Sequence, residues 1–451
     1  MKTDFRNEPI WLAVLKQGFP LMVAQLVHIL YNVVDRVYIG HLPGVGSMAL
    51  TGIGLAFPIT TLVAAFTNMF GMGGAPLFSI HRGAGEEEKA EKMLGQVTSY
   101  LFITSIILFV VCYIWRKPIL YLFGASDASY PYADEYLKIY LFGTTAAMLS
   151  TGLNPFINAQ GYPNTGMLTI VIGAVANLIL DPIFIFRYGM GVKGAALATI
   201  ISQFISAIYV LSFFWGKKTM YRIRKEHLIP DLHILKEVST LGFANFIMQA
   251  TNTLVSILCN VTLRNYGGDI YVGVMTILNS VREILSLPSI SLANGAQPVI
   301  SFNFGSKLYS RVKKAIRFTT YLCTIYLLIA WAIVFFKPDF FINLFSDDQT
   351  LIKLSVNALR IYFFGFVFMA FQSAGQNSFT AMKCSKRAIF FSLLRKVIIV
   401  APLTIILPRF FGVDGVFMAE PISNVIGGLA CYITMYYTQY KRLPADGEEF
   451  V

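Results

Sequence analysis

The feature that most constrains this chain is a series of long apolar segments. A helix needs about 20 mostly apolar residues to cross the hydrocarbon core of a bilayer, and such segments recur along all 451 residues. They predict twelve spanning helices, at 13–40, 52–80, 94–115, 136–158, 165–187, 194–215, 241–264, 271–301, 316–336, 356–380, 388–409 and 413–438. Only 13% of the residues are charged, against ~25% in soluble domains. We therefore expect an all-α integral membrane protein, and not a soluble enzyme or a nucleic-acid binder.

The positions of the basic residues predict the orientation of these helices. The connections on the side of the N-terminus hold most of the 36 Lys and Arg residues, and such connections stay in the cytoplasm. We expect both termini to be cytoplasmic, in a bacterial or archaeal cell membrane. The net charge of +12 then reflects topology and contact with anionic lipid headgroups, and predicts no nucleic-acid partner.

The two halves of the chain repeat each other. Matched residues include Gly18 and Gly242, Pro76 and Pro298, Asn154 and Asn377, and Gly194 and Gly415, at spacings between 221 and 224 residues. A nearly constant spacing indicates a duplication, and six helices per copy make the two repeats parallel. The predicted domains are an N-lobe at 1–215, a cytoplasmic linker at 216–239 and a C-lobe at 240–451. Parallel repeats are typical of secondary transporters with the substrate site between the repeats.

Several predicted helices carry a polar face. In helix one, polar residues at i, i+3, i+7 and i+10 lie on one side, and helices seven and eight have similar faces. Because lipid offers no hydrogen-bond partner, such faces are expected to look inward. The candidates for a substrate site or a second ion site are Gln25, His28, Asn32, Asn154, Gln249, Asn252, Glu283 and Glu420.

Depth brings four of the N-lobe residues together. Asp35, Asp181 and Thr199 each lie six residues from the outer end of their predicted helix, marked by His41, Arg187 and Lys193 respectively. At ~1.5 Å per residue, all three lie about 9 Å below the same boundary, and Asn177 is one turn from Asp181. This oxygen-rich set suits Na⁺ or a proton shared by two carboxyl groups, and no organic cofactor is implied. The equivalent C-lobe positions are Cys259, Leu403 and Glu420, so we expect the N-lobe to bind the coupling ion.

The sequence resembles the MATE (multidrug and toxic compound extrusion) transporters over essentially its whole length. The resemblance rests on Pro20 with Asp35 fifteen residues later, and on NLILDPIFIF (177–186) and GVKGAALATIIS (191–202). It also rests on GAPLFSIHRGAGEEEKA (74–90), echoed by NGAQPVISFNFGS (294–306). The resemblance implies export of small amphipathic or cationic compounds, coupled to H⁺ or Na⁺, by alternating access of the two lobes.

The resemblance also implies roles for individual residues. One branch of the family couples through the residues that correspond to Asp35, Asn177, Asp181 and Thr199, and bends helix one at the proline that corresponds to Pro20. Another branch uses acids on helices seven and ten, where this chain has Gln249, Asn252, Gln372 and Gln376. This difference favours the DinF-like over the NorM-like branch.

Each candidate also has a structural interpretation. Asp35 can pair with Arg36, Asn177 can serve in helix packing, and Thr199 can bond to its own helix. Pro20 can be a tolerated kink. Glu420 can pair with Arg360 or Arg264 near the outer surface, and Arg395 and Lys396 are expected near the inner boundary, where long basic side chains reach headgroups.

Two other functions remain open from the sequence. The first is a flippase for lipid-linked oligosaccharides, which requires a strongly cationic cavity. The second is an integral-membrane enzyme, which requires a His, Cys or carboxylate motif near an interface. His81, His227 and His233 lie in basic loops without such a pattern, so we expect a transporter and not an enzyme. We further expect a monomer.

Overall fold

The computed structural model describes residues 2–40, 42, 46–217, 219–345 and 349–450. His41, used in the depth argument, lies outside the described residues. The described part of the first half forms eight α-helices: α1 (Ile10–Gly40), α2 (Gly46–Gly83), α3 (Glu87–Ile114), α4 (Arg116–Leu122), α5 (Tyr130–Phe142), α6 (Thr144–Ala159), α7 (Pro163–Pro182) and α8 (Val192–Trp215). A π-helical segment, Ile183–Arg187, continues α7, and a 3₁₀ turn, Lys225–His227, follows α8.

The second half has the same order of long helices. Its described residues form α9 (Leu232–Gly267), α10 (Asp269–Gly305), α11 (Tyr309–Phe336), α12 (Pro338–Ile342), α13 (Gln349–Phe363), α14 (Met369–Ala381), α15 (Ser385–Leu393), α16 (Ala401–Ile406), α17 (Pro408–Phe411) and α18 (Val413–Thr438). A π-helical segment, Leu394–Val400, joins α15 to α16, and 3₁₀ turns lie at Phe366–Phe368 and Tyr440–Arg442. The fold is all-helical, with no strand among the described residues. The repeat is visible in helix lengths: α2 and α10 have 38 and 37 residues, and α3 and α11 have 28 each.

Ten helices of the described chain are long and apolar enough to cross a membrane, and α13 with α14 makes an eleventh span that is bent by 44°. Residues 136–158, predicted as one span, form α5 and α6 on either side of Gly143. The bend between α13 and α14 contains Gly365, which lies 222 residues after Gly143. A Cβ at Gly365 would clash with the carbonyl O of Pro421, and a Cβ at Gly143 would lie 2.5 Å from Oε1 of Gln203. Both repeats are therefore interrupted where the backbone lies against a neighbouring helix.

The chain divides into two compact units. One comprises Met1–Thr3 and Pro20–Gly242, and the other comprises Asp4–Phe19 and Phe243–Val451. Residues 4–19 belong to the second unit because Arg311 holds them: its Nη2 donates to the carbonyls of Phe5 (3.0 Å) and Glu8 (2.6 Å). The division therefore falls inside α1, between Phe19 and Pro20.

The predicted linker, 216–239, is docked on α3 in the first unit. Gln96 donates from Nε2 to the carbonyls of His227 (2.8 Å) and Ile229 (2.6 Å), and its Oε1 accepts from the N–H of Asp231 (2.7 Å). Lys92 pairs with Asp231 at 2.9 Å, and this hydrogen bond holds the pKa of Asp231 below its usual value. Helix α9 begins at Leu232, inside the predicted linker.

Candidate functional site

The carboxyl groups of Asp35 and Asp181 are brought together by α1 and α7 in the first unit. They are close enough to share a hydrogen bond. Nδ2 of Asn177, one turn before Asp181 on α7, donates to Oδ1 of Asp181 at 3.2 Å. Asp181 is fully buried and Asn177 is 2% exposed. The structure thus assembles three of the four residues grouped by depth in the sequence.

Three oxygen atoms of this group lack partners. Oδ1 of Asp35, Oδ1 of Asn177 and Oδ2 of Asp181 are buried and accept no hydrogen bond in the described structure. Arg36 does not supply the missing donor, because its guanidinium lies over the ring of Phe57, 5.9 Å from the centroid. A buried acceptor left unpaired costs about 1–3 kcal/mol, and an unpaired buried charge costs more. Three such atoms in one place fit a bound cation or an added proton.

Tyrosine side chains lie around the two carboxyl groups. Tyr31 of α1 and Tyr136 of α5 interact electrostatically with both Asp35 and Asp181. Tyr136 stacks on Tyr140, with ring centroids 5.7 Å apart. These residues were missed from the sequence, because aromatic residues are frequent throughout the apolar segments and α5 was not placed next to α1. Tyr31 and Tyr136 therefore bring two hydroxyl groups into the neighbourhood of the carboxyl groups.

The backbone beside Asp181 departs from the regular α-helix. Pro182 follows Asp181, and the chain continues as the π-helical segment Ile183–Arg187. Since proline has no N–H, the carbonyl four residues earlier loses its usual donor, and π-helical turns often occur at functional sites. The Asp-Pro pair thus places a carboxylate at a point where the helix is interrupted.

Thr199 lies apart from this hydrogen-bonded group. Its Oγ1 donates to the carbonyl of Ala195, one turn earlier on α8, at 2.9 Å. This is the local bond expected of threonine in a membrane helix. The hydroxyl retains lone pairs that can accept a further bond, and no bond to Asp35, Asn177 or Asp181 is present in the described structure.

The remaining polar residues of α1 line an exposed face. Gln25 and His28 are exposed and Asn32 is half-buried. Nδ2 of Asn32 donates to the carbonyl of His28 at 2.8 Å, and the ring of His28 lies edge-on to Tyr31 at 5.0 Å. None of the three joins the group of Asp35, Asn177 and Asp181 by a hydrogen bond among the described residues. They continue the polar face toward the other end of the helix.

Three further candidates differ in their surroundings. Gln249 of α9 is half-buried and Asn252 is exposed on the same helix. Asn154 is buried between α6 and α7, where its Nδ2 donates to the carbonyl of Gly166 (2.7 Å) and to Oγ1 of Thr169 (2.5 Å). The hydrogen-bonding capacity of Asn154 is therefore used in packing two helices together.

The second unit contains a buried charge cluster that joins three separate segments. Nζ of Lys396 donates to both carboxylate oxygens of Glu420 at 3.0 Å, and Nη1 of Arg282 donates to Oε1 at 2.9 Å. Arg395 donates to Oδ1 of Asn424 at 3.2 Å. We name Arg282, Arg395, Lys396, Glu420 and Asn424 the C-unit cluster.

The C-unit cluster corrects two expectations. Glu420 pairs with Lys396 and Arg282, and not with Arg360 or Arg264; in the described structure Arg264 pairs with Asp269. Arg395 and Lys396 do not reach headgroups as snorkelling side chains, and the Lys396 side chain is only 4% exposed. The linear pattern could not show this, because the Arg282–Glu420 bond joins residues 138 positions apart. The only signal was one acid and three bases within apolar segments.

Glu283 lies beside this cluster but outside its hydrogen bonds. It follows Arg282 on α10, is exposed, and adds a favourable electrostatic interaction to Arg282. Its carbonyl accepts from Ser286 at 3.2 Å. The polar face of α10 therefore continues the cluster toward an exposed surface.

A sequence model of the MatE family matches this chain twice, at residues 20–183 and 245–406. The two matches cover the two repeats. Curated relatives span the chain from end to end. The multidrug export protein MepA of Staphylococcus saprophyticus is 25% identical over 99% of this chain and 98% of its own. MepA of Staphylococcus haemolyticus is 26% identical over 98% and 96%.

Solved structures have the same fold. An outward-facing multidrug resistance MATE family transporter of the MOP superfamily matches with a TM-score of 0.89 at 21% identity, covering 98% of both chains. A MATE transporter in the straight conformation matches with a TM-score of 0.91 at 20% identity, also covering 98% of both. The named relatives are transporters and not enzymes, and the likeness extends over the twelve-helix fold.

Proposed function

The chain belongs to the MatE family, and on that premise we propose that it is a multidrug exporter of the cell membrane, driven by a cation bound at Asp35, Asn177 and Asp181. The observation that carries the proposal is the set of three buried oxygens without hydrogen-bond partners at these residues. The names of the MepA relatives support export of drugs over flipping of lipid-linked oligosaccharides. The substrates are small amphipathic or cationic compounds.

The cation is H⁺ or Na⁺, and each fits the group in its own way. A proton bridges Asp35 and Asp181 and removes the repulsion between two buried carboxylates. A sodium ion takes carboxylate and amide oxygens as ligands, which are the donors that hard cations prefer. Asn177 orients Asp181 through its Nδ2 and leaves its own oxygen free for the cation. Thr199 can join the site, because its hydroxyl donates its proton to the carbonyl of Ala195 and still has oxygen lone pairs for the cation.

Transport follows from the different affinities of the cation for two conformations. A cation that binds one state more tightly shifts the population toward that state, and repeat-built transporters alternate by moving one repeat against the other. We place Pro20 at the hinge, because the division between the compact units falls between Phe19 and Pro20. The glutamines at 249, 372 and 376 and the acids at 35 and 181 favour the DinF-like mode of coupling. The proposal includes cytoplasmic termini, a lipid-surrounded monomer and no organic cofactor.

The experiment compares Asp35→Asn and Asp181→Asn with wild type in inside-out membrane vesicles that accumulate a fluorescent organic cation under an imposed gradient. Both variants remove a charge and keep the side-chain volume, and each is expected to lower the initial rate at least about 10-fold, since a charge-assisted contact is worth about 1.5–3 kcal/mol. Asp414→Asn, in the first turn of α18, is the matched control and should transport as wild type. Wild-type rates in both site variants would refute the proposal.

A further inference from the structure

The two units carry opposite charge on equivalent helices. In the first unit, two carboxyl groups lie at α1 and at the end of α7 without a bonded cation. In the second unit, the helix equivalent to α7 supplies Arg395 and Lys396, and the helix equivalent to α8 supplies Glu420. Glu420 stands 221 residues after Thr199. The helix that carries Asp181 in the first unit is thus matched by a helix with two basic residues, at a different position along it: Arg395 and Lys396 lie 222 residues after Gly173 and Ala174.

The cationic surplus persists when every nearby acid is counted. Arg282, Arg395 and Lys396 share one hydrogen-bonded carboxylate, that of Glu420. Adding the exposed Glu283, which interacts with Arg282 but does not bond to it, still leaves one positive charge more than negative. Of these residues, Arg395 has only the amide oxygen of Asn424 as a side-chain partner in the described structure. The carboxylate of Glu420 also attracts Arg395, but its hydrogen bonds go to Lys396 and Arg282. Three cations around one bonded carboxylate in an apolar span are costly.

The backbone conformation directs the side chains of Arg395 and Lys396 toward the same helix, α18. Arg395 and Lys396 are adjacent in sequence, and in an α-helix their side chains would diverge by about 100°. They lie instead in the π-helical segment Leu394–Val400, whose wider turns bring neighbouring side chains closer in angle. Ser423 of α18 bonds to the carbonyl of Arg395 at 2.9 Å. The π-helical segment is thus fixed against α18, with both basic side chains directed at the same helix.

One member of the cluster reaches the molecular surface. The side chain of Arg282 is 29% exposed, and its guanidinium lies over the ring of Tyr362, 5.9 Å from the centroid. A guanidinium in contact with hydrocarbon is strongly unfavourable, so the exposed part faces a polar space. The exposed Thr276 and Glu283 on the same helix have the same requirement.

We propose that the C-unit cluster is an anion site that takes a carboxylate-sized monovalent anion through Arg395 and Arg282. The two sources of that anion are the carboxylate of a zwitterionic amphipathic substrate and chloride. The inference rests on the proposed exporter function for the first source only. It adds to that function a class of substrate, zwitterions with a carboxylate, that the acid site of the first unit does not account for.

The test is equilibrium binding to the purified full-length protein in nanodiscs, without any gradient. The probes are rhodamine B, a zwitterion with a free carboxylate, and its ethyl ester, which has the same ring system without the negative charge. Arg395→Gln is expected to weaken binding of the acid roughly 10-fold and to leave binding of the ester within about 2-fold. Arg360→Gln, an arginine of the same unit over the ring of Phe335, is the matched control and should change neither.

A second variant separates an anion site from a structural role. Glu420→Gln removes the acid that competes for the same cations, so it is expected to strengthen binding of the acid and not of the ester. A purely structural cluster would be damaged in the same direction by Arg395→Gln and Glu420→Gln, and that result would overturn the proposal. Opposite changes in the affinity for the acid in these two variants therefore identify an anion site, even if one variant is less stable.

Chloride distinguishes the two sources. Chloride is added to the protein in methanesulfonate buffer and the melting temperature is measured. If chloride raises the melting temperature of wild type but not of Arg395→Gln, the site binds chloride. A wild-type preference for the acid over the ester that is lost in Arg395→Gln assigns it to the substrate. Absence of both effects overturns the proposal. Because the acid-to-ester ratio is an equilibrium quantity, it should be unchanged in Asp181→Asn, so failure of cation coupling leaves this test intact.

Discussion

At the scale of single residues, unpaired acceptors separate the candidate site from ordinary buried polar groups. Asn154 and Asn177 are both buried asparagines near the end of a helix. The Nδ2 of Asn154 donates to Gly166 and Thr169, whereas the Oδ1 of Asn177 has no hydrogen-bond partner beside Asp181. A buried oxygen without a hydrogen-bond donor is unfavourable unless it binds a cation or a proton. We therefore propose that Asn177 binds the cation, whereas Asn154 packs two helices together.

Asn177→Ala tests this assignment. The variant removes both the donor to Oδ1 of Asp181 and the free oxygen, so the concentration of driving cation at half-maximal transport should rise roughly 10-fold. Thr67→Val is the comparison variant, because the hydroxyl of Thr67 is buried and bonds to the carbonyl of Val63 within α2, and it should change that concentration by less than about 2-fold. The measurement is transport rate against cation concentration. Equal effects of the two variants would contradict the assignment.

Gly242 is required for a close approach of two helices. A Cβ there would clash with the carbonyl O of Met69, and a Cβ at Gly73 would clash with the carbonyl O of Val238. Forcing a methyl group into such a contact costs about 1–3 kcal/mol. We expect Gly242→Ala to lower the melting temperature of the purified protein.

The control is Gly54→Ala, on the exposed face of α2. A Cβ at Gly54 meets nothing within 4 Å, and alanine is about 1 kcal/mol more favourable than glycine inside a helix. Gly54→Ala should leave the melting temperature unchanged or raise it. A loss of stability in Gly54→Ala as large as in Gly242→Ala would show that the close contact is not the cause.

The sequence predicted that Asp35 and Asp181 lie close together, but it did not predict the contacts of the C-unit cluster, for a physical reason. Asp35 and Asp181 are acids in apolar segments, and counting residues to the helix ends set their depth. Lys396 and Glu420 are also charges in apolar segments, but long side chains can pair inside or extend to headgroups. Which of these occurs depends on contacts between distant helices, and these do not appear in the order of residues.

At the scale of elements, the linker after α8 is an ordered part of the first unit. Gln96, only 1% exposed, makes three hydrogen bonds to the segment His227–Asp231. Its removal leaves two carbonyls and one N–H without their partner. We expect Gln96→Ala to increase the rate of tryptic cleavage at the basic residues 217–225 at least about 10-fold, since each bond contributes about 1 kcal/mol to docking.

Thr98→Val is the matched control for Gln96→Ala. Oγ1 of Thr98 bonds to the carbonyl of Leu94 within α3, so its removal should not release the linker. If Thr98→Val is cleaved as fast as Gln96→Ala, general instability of α3 explains the result and the anchoring role of Gln96 is wrong.

Linker docking should be insensitive to pH over the neutral range. The hydrogen bond from Lys92 lowers the pKa of Asp231 from its usual 3.8. A carboxyl group with a lowered pKa stabilises the docked state fully above its ordinary pKa, and that contribution is lost as the pH falls through the lowered value. Cleavage of wild type by a protease active over this range should therefore stay constant between about pH 8 and 5. A marked increase at pH 5 would show that another group controls docking.

Helix α1 contains the proposed hinge. Pro20 lies inside the helix and cannot donate to the carbonyl of Lys16. Pro20→Ala restores this bond, so it should raise the melting temperature and lower the transport rate several-fold. Pro58→Ala, a proline inside α2, is the control for loss of a helix proline and should keep the wild-type rate. A wild-type transport rate in Pro20→Ala would show that Pro20 is not a hinge.

Element boundaries were only partly predictable. The twelve apolar segments located the long helices, but 136–158 is divided at Gly143 and 356–380 bends near Gly365. Hydropathy does not register such breaks, because a glycine inside an apolar run is common in membrane helices. Comparing the repeats would have indicated them, since the two glycines lie 222 residues apart. For the π-helical segment after Asp181, Pro182 was the one local signal, and the segment Leu394–Val400 has no proline or glycine of its own.

At the scale of the whole molecule, the two repeats share the same order of helices but differ in their buried charged residues. The family model matches both halves, yet carboxyl groups without cations occur in the first unit and surplus cations occur in the second. Duplication preserves packing, which many residues share, whereas each charged site depends on a few residues. We accordingly propose that cation coupling and recognition of an anionic substrate group belong to different units.

The most direct test of the central claim is substrate efflux from proteoliposomes with Na⁺ and pH gradients imposed separately. We predict that one of the two gradients accelerates efflux by wild type. For a cationic substrate without a carboxylate, this acceleration should be lost in Asp181→Asn and retained in Arg395→Gln. Efflux that responds to neither gradient, or acceleration that survives in Asp181→Asn, would contradict a cation site at Asp35, Asn177 and Asp181.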